Sequence, residues 1–222
     1  MSIELKIVKR TDPSYQDFRD RHYIPNRGCH GQQLHYNVMV DGRHVGIISG
    51  ASSVYGCAPR DEFFGLSKTK EDKQSQLNQI VNNVVFRLEE NTMNLGSFVL
   101  GAWRRRVCRD WKYVYGAHVV GFETFVIRED RPDGKDRHGG VYFADNWSMV
   151  GITQGNTKVH AADAKSGGMN TKHTRREVEK KLIFCFRNSK MKFSLTRYES
   201  SWKDKERAAL VKARRDELMS AV

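Results

Sequence analysis

Arg87 sits inside NNVVFRL, where Val84, Phe86 and Leu88 alternate with Val85 and Arg87 at the period of an extended strand. A cation among apolar side chains requires an anionic partner. Glu123 in GFETFV is one candidate and an anionic ligand is another. His22 and Tyr23 close the first helical stretch and bring an imidazole and a phenol toward the same cleft. His22, Cys29, His30 and His35 fall within 14 residues. With Glu123 or Asp145 they offer the donor types of an iron site, His22 foremost, although no spacing here is diagnostic of a metal.

The strand that carries Arg87 runs into a helix. In Asn82 to Trp103, Asn91 and Thr92 are cap residues, and Leu95, Phe98, Val99, Ala102 and Trp103 make an apolar stripe on a helix from Asn94 to about Cys108. Gly96 and Gly101 interrupt it, each at a cost of roughly 1 kcal/mol relative to alanine. A close backbone approach, or a phosphate at the helix N-terminus, would offset that cost. Asn94, Gly96 and Ser97 are the residues such a phosphate would meet. The strand-like run Tyr115 to Ile127 follows, so strand, helix and strand form a βαβ unit with parallel neighbours.

The remaining elements frame this unit. Ile3 to Val8 reads as a strand, and Asp12-Pro13 opens a helix that reaches about Arg21. Leu34 to Val40 and His44 to Ser53 are two strands joined by the hairpin signal Asp41-Gly42. Val54 to Gln79 is less regular, with a polar helix over Lys68 to Asn78. Arg128 to Gly140 is a charged loop, Val141 to Val150 a short helix, and Ile152 to His160 a strand. Ala161 to Arg176 lacks large apolar side chains and reads as mobile. Lys181 to Arg187 is a late strand, and the tail from about Glu199 is a basic amphipathic helix. The expectation is one domain over residues 1–198 with a C-terminal helix over 199–222.

Charge restricts the partners. Lys and Arg number 38 against 26 Asp and Glu, a net charge of +12. The segment from Ala161 onward contributes +8 of this, with 16 basic and 8 acidic residues. A concentrated positive charge favours a polyanion, and nucleic acid is the commonest. Arg104, Arg105, Arg106, Arg109 and Lys112 after the central helix, with Lys172, Arg175 and Arg176 further on, are the candidate phosphate contacts. No stretch is long and apolar enough for a membrane span, and the N-terminus lacks an apolar signal core. The four cysteines form no CxxC pair, so reduced thiols and a cytoplasmic setting are expected.

The element order β-α-β-β, β-α-β, α-β and a final strand resembles the GNAT acyltransferase fold. That likeness implies an α/β (α+β) fold with a mixed central sheet flanked by helices. It also implies two parallel strands that splay apart to admit the arm of an acyl-coenzyme A, whose pyrophosphate sits at the helix N-terminus. The turn EENTMNLGS lacks the usual glycine-rich pyrophosphate loop, and Glu89 and Glu90 place negative charge there.

A closer set of motifs resembles the bacteriophage Mom DNA-modification family. They are Arg21-His22-Tyr23 with Gly31, NNVVFR, Asp110-Trp111, Tyr115-Gly116, GFETFV, and Tyr142-Phe143-Ala144-Asp145-Asn146-Trp147 with Gly151. A more distant similarity is to a domain found in some antiphage defence systems. The Mom resemblance implies conversion of adenine N6 in double-stranded DNA to a carbamoylmethyl (acetamido) derivative that protects phage DNA from restriction. It also implies catalytic roles for His22, Tyr23, Arg87, Glu123, Tyr142 and Asp145, with Glu123 or Asp145 as base, Glu123 otherwise as an orienting carboxylate, and Tyr142 as proton donor to the leaving group. An acyl-CoA-like or other activated donor would be needed, and iron is possible. A base made to react outside the stack needs an aromatic to rest on, and Tyr23, Trp111 or Trp147 would serve. Two other classes remain open: a non-catalytic nucleic-acid-binding protein on the same fold, and an acetyl-CoA-dependent N-acyltransferase acting on another amine.

Overall fold

The computed structural model describes residues 1–24, 31–128, 137–158, 175–177, 179–194 and 205–220. Four antiparallel strands open the sheet: β1 (Ile3–Val8), β2 (Gln33–Val40), β3 (Arg43–Ser52) and β4 (Ile80–Leu88). The β2–β3 hairpin turns at Asp41 and Gly42, both at positive φ (47° and 79°), as its two-residue turn requires. Helix α1 (Pro13–Asp20) lies between β1 and β2, and Asp12 caps it by accepting the Ser14 amide at 2.9 Å. Helices α2 (Ala58–Phe64) and α3 (Lys70–Leu77) fill the stretch before β4. The sequence pattern anticipates α3 but not α2.

Helix α4 (Leu95–Tyr115) then crosses the sheet. Leu95, Val99, Trp103, Val107, Trp111 and Val114 are all buried at spacings of three and four. This stripe continues seven residues past Cys108, which is why the helix runs longer than its first half suggests. It stops at Gly116, whose left-handed backbone (φ 73°) supplies the C-terminal cap. Tyr115 therefore belongs to the helix, and β5 starts only at Gly121 (Gly121–Ile127). Phe98, expected in the apolar stripe, is half exposed instead.

Beyond β5 come the short helix α5 (Gly140–Ala144) and the strand β6 (Ser148–Ile152). A left-handed residue, Asn146 (φ 60°), separates them, so the expected helix to Val150 ends early. The two-stranded ribbon of β7 (Asn156–Lys158) and β8 (Arg175–Glu177) pairs antiparallel, and β9 (Lys181–Arg187) returns to the main sheet. The final strand order is β1-β2-β3-β4-β5-β9-β6. Helix α6 (Lys205–Ser220) rests against α4 and β1, with Val211, Leu218 and Met219 against the core.

The two faces of this sheet differ. One is covered by α4 and carries the main core, including Trp103, Trp111, Phe122, Trp147 and Phe184. The other holds two smaller clusters: Tyr15, Phe18, Ile47 and Val85 under α1, and Cys57, Phe64, Ile80, Ile183 and Cys185 under α2. Gly121 marks a tight point between them, where a Cβ would meet the Phe64 ring and lie 2.7 Å from the Phe186 carbonyl oxygen. Gly121→Ala is expected to destabilise the protein by about 1–3 kcal/mol. Gly56→Ala, facing open space, should change little. Urea denaturation of the two variants checks the contrast.

Candidate active site at the strand opening

Strands β4 and β5 are parallel partners over only three residue pairs, Ile80↔Gly121, Val81↔Phe122 and Asn82↔Glu123. Beyond them the two strands part while both continue, β4 to Leu88 and β5 to Ile127. Side chains close the apex of this opening. The Thr124 hydroxyl donates to the Asn83 carbonyl at 2.9 Å, and the Tyr142 hydroxyl donates to the Asn83 amide oxygen at 2.8 Å. Asn83 in turn donates to the carbonyls of Ser49 (3.0 Å) and Val85 (3.1 Å). Burial pushes the Tyr142 hydroxyl well above the usual tyrosine range, so it keeps its proton at neutral pH.

At the wide end of the opening lies a cleft of about 360 Å³ lined by His22, Tyr23, Phe86, Arg87, Leu88 and Arg137. The Arg137 guanidinium stacks over the Tyr23 ring at 3.6 Å, and the His22 ring lies 4.7 Å from the same phenol. His22 Nδ1 faces the Ile24 backbone, 3.2 Å from its N–H. Burial, aided by the Arg19 cation, lowers the His22 pKa to about 4, so the ring is neutral at pH 7.

Arg87 reaches this cleft but does not pair with Glu123. Its guanidinium donates to Glu89 Oε1 at 3.1 and 3.3 Å and to the Arg21 carbonyl. The reason is distance along the strand: Glu123 is level with Asn82, five residues and roughly 17 Å from Arg87. Glu123 is instead fully buried against Arg60 of α2, also fully buried, and accepts the Val54 amide at 3.1 Å. Arg60 extends the chain of charges to Asp61 (2.7 Å), which also binds Lys73. Burial pushes the Glu123 carboxyl up, and Arg60 pulls it back toward ionisation.

Glu123 and Tyr142 also fail to share a cleft face. Consecutive residues of a strand point to opposite faces. Thr124 meets Tyr142 on the α4 side at 3.4 Å, so Glu123 points to the α2 side. The two stand on opposite faces of the sheet at the opening.

Asp145 is held as a structural anion. Arg104 grips it with two bonds of 2.7 and 2.8 Å, and the Trp147 indole donates to it at 2.8 Å. Trp111 and Trp147 are buried core residues, which removes them as platforms for an extruded base; Tyr23 alone of the three is exposed. Arg104 and Arg106 are committed to Asp145 and Asp110. Arg105, Arg109 and Lys112 are exposed along one face of α4. Lys172 lies outside the described residues, as do the side chains of Arg175 and Arg176, whose backbone forms β8 rather than part of a loop.

The helix N-terminus fits an anion better than its acidic turn suggests. Glu89 is bound by Arg21 and Arg87, and Glu90 by Arg43 at 2.6 Å, so both charges are answered. Asn94 enters α4 at φ 62° with no side-chain cap, and the first turn holds no acidic residue. The backbone of Asn94, Gly96 and Ser97 at the positive end of this 21-residue helix therefore suits a phosphate. Gly96 itself is explained by packing, since Val141 of α5 lies against the place a Cβ would take. Among the described residues no three His, Cys, Asp or Glu side chains converge on a metal position, which leaves the iron expectation without support. No helix among them is long and apolar enough to cross a membrane.

Sequence reasoning missed Arg60, Asn83, Thr124 and Arg137. Arg60 had a signal, a charged residue beside Phe63 and Phe64 in a helix too short to show a period. Asn83 and Thr124 had one as well, as polar residues inside otherwise apolar strands.

The strand order, the parallel pair and the opening define a mixed α/β protein of GNAT-like fold. The sequence itself matches the family described as Druantia protein DruA over residues 1–202, and the chain belongs to that family. This corrects the resemblance to the phage Mom family. No curated protein matches the chain significantly. Solved structures with a similar backbone include a Bacillus subtilis acetyltransferase with CoA (6% identity, TM-score 0.45, covering 84% of this chain and 99% of that one). A GNAT acetyltransferase of Elizabethkingia anophelis with acetyl-CoA is another (8%, 0.42, 83% and 97%). A third is the aminoglycoside acetyltransferase AAC(6')-Ib with coenzyme A and kanamycin (10%, 0.41, 85% and 96%). Overlaps this loose add nothing to what the topology shows.

Arg60→Met should cost about 3–5 kcal/mol by leaving Glu123 buried without its partner. Adding Glu123→Leu should restore most of that loss, and a double-mutant cycle by chemical denaturation measures the coupling. Acidity supplies a second check. His22 and His35 are both buried with pKa lowered to about 4. The unfolded chain takes up their protons near pH 6.5 while the folded chain does not, so stability is full above pH 6.5 and falls toward pH 4. Each histidine contributes up to about 1.4 kcal/mol per pH unit in that window. The thermal midpoint should therefore drop between pH 6.5 and 5, and less steeply in His35→Gln.

Proposed function

We propose that this chain is a group-transfer enzyme of the N-acyltransferase type whose acceptor is an amine on nucleic acid. The observation that carries this reading is the opening between β4 and β5, with a protonated tyrosine at its apex and a cationic, aromatic-lined cleft at its mouth. The phosphate-suited start of α4 lies on the same side of the sheet as Tyr142, which supports entry of an acyl-CoA-like donor there. Glu123 faces the other side, where an amine would approach.

The roles divide accordingly. The amine nitrogen forms a bond to the acyl carbon and the bond to the leaving thiol breaks. Glu123 takes the proton lost by nitrogen, and Tyr142 supplies one to the departing sulfur. Burial favours both, keeping Tyr142 protonated and raising the basicity of Glu123 against the pull of Arg60. Arg87, Arg137, Tyr23 and His22 bind rather than react. Asp145, fixed by Arg104, supports the scaffold.

Duplex DNA is the acceptor we favour, supported by the net charge of +12 and by Arg105, Arg109 and Lys112 on one face of α4. Adenine N6 is one amine of that class. The carbamoylmethyl product and the role in restriction evasion rested on the Mom resemblance and go with it. The association of the DruA family with anti-phage defence supports modification in the service of the host. Should the chain only bind, the same α4 face would carry the contacts.

The test is nucleoside mass spectrometry on DNA and RNA from cells that express the protein, paired with thiol release from acetyl-CoA by the purified chain. A new modified nucleoside, reduced at least about 100-fold by Tyr142→Phe, is the expected result. Salt-sensitive nucleic-acid binding without any modified nucleoside or thiol release would overturn it in favour of a binding protein.

A further inference from the structure

Polar side chains on the α1–α2 face of the sheet are almost all paired. The Ser49 hydroxyl lies 2.7 Å from the Tyr15 hydroxyl and 2.9 Å from His35 Nδ1. Asn37 donates to Ser14 at 2.6 Å, and Glu123 is held by Arg60 and the Val54 amide. Two amide oxygens on this face are the exceptions among the described residues, Asn37 Oδ1 beneath α1 and Asn82 Oδ1 at the strand opening, both buried with no hydrogen-bond partner. Asn82 is 5% exposed and is the one that stands beside Glu123. A buried amide oxygen left without a donor is costly and is uncommon in folded proteins. At the strand opening such an atom is where a ligand's donor would be satisfied.

Its position says which ligand. Asn82 is the last residue of β4 before the strands part, and Glu123 is its register partner on β5. Both belong to the cross-strand row Ala51↔Asn82↔Glu123↔Cys185 and share one face. The amide and the carboxylate therefore stand side by side on that face, both buried. An asparagine amide matches an amino group beside a ring-nitrogen acceptor: its oxygen accepts the amino N–H, and its nitrogen donates to the ring.

We propose that Asn82 is the recognition residue for the acceptor, holding the edge of an adenine or cytosine base so that its exocyclic amine faces Glu123. This rests on the amine-transfer reading above and adds the residue that selects the amine. Asn82 positions the base, and Glu123 remains the group that takes the proton.

The experiment follows the Asn82 side-chain amide by nitrogen–proton NMR while the full chain is titrated with dAMP, dCMP, dGMP or dTMP. The Asn82→Leu variant identifies the signal by its loss. We expect dAMP or dCMP, whichever is the acceptor, to move the Asn82 signals, and dTMP, which lacks an exocyclic amine, to leave them in place. In Asn82→Leu the thermal midpoint should hold or rise, because an unpaired polar group has been removed, while affinity for that nucleotide falls at least tenfold. Asn82→Gln should recover part of the binding. Asn82 signals unmoved by all four nucleotides, or a variant that modifies nucleic acid as well as the wild type, overturns the proposal and leaves the transfer reading standing. Nucleotide-dependent shifts in a chain that modifies nothing uphold the recognition role and overturn the transfer reading instead.

Discussion

Parallel strands that part must do something with the hydrogen-bonding groups they cease to share. In this fold β4 and β5 separate after Asn82 and Glu123, so the next residues of both strands lose ladder partners on that side. Thr124 and Tyr142 take over at the first step, and the Asn83 side chain anchors the far side on Ser49 and Val85. The sheet can afford the opening because β4 remains paired with β3 along its other edge, and β5 remains paired with β9 over its whole length. The placing of the last strand between β5 and β6 is therefore what makes a gap in the middle of the sheet stable.

The gap then imposes a division of labour. Alternation along β5 sends Thr124 toward α4 and Glu123 toward α2, so no single approach meets both the tyrosine and the carboxylate. A reaction at the apex needs one reactant from each side. The electrostatics agree with this split. On the α2 side a buried carboxylate is balanced by Arg60, itself steadied by Asp61 and Lys73. On the α4 side the acidic turn before the helix is neutralised by Arg21, Arg43 and Arg87, which leaves the positive helix end to act. Arg87 thus both lines the cleft and answers Glu89, away from the apex where Glu123 and Tyr142 stand.

Much of the fold was legible because its strongest elements carry clean periods. The alternation in β1, β2, β3, β4 and β9, the Asp12 cap and the Asp41-Gly42 turn each report on local geometry alone. The misreadings cluster where a local signal competed with tertiary packing. Tyr115 to Val120 reads as strand by composition, yet Trp111, Val114 and Tyr115 complete the buried face of α4, and Gly116 ends it. Helix α2 is invisible in sequence because its key residue is an arginine that is buried only through a carboxylate 63 residues away. The site suffered in the same way. Residue types such as Arg87, Glu123 and Tyr142 were readable, but their faces and partners depend on register, and register is a property of the assembled sheet.

The Mom resemblance went astray for a related reason, visible in what its motifs do. Asp110 accepts from Tyr36 at 3.0 Å and from Arg106 at 2.8 Å, and Trp111 is fully buried beneath it. Tyr115 ties α4 to β2 by bonding the Gln33 backbone in both directions. Asp145 and Trp147 form one unit with Arg104, whose guanidinium also stacks on Phe186 at 3.8 Å. Each of these motifs is a joint between helix and sheet, and any chain that builds this scaffold has reason to keep such joints. Motifs made of joints identify a scaffold and stay silent about the reaction performed on it. Asn82, Glu123 and Tyr23 sit inside three of the motifs, NNVVFR, GFETFV and Arg21-His22-Tyr23, so a shared motif can carry a shared scaffold together with residues whose reaction differs. That is why membership of the DruA family could coexist with a motif set that pointed elsewhere.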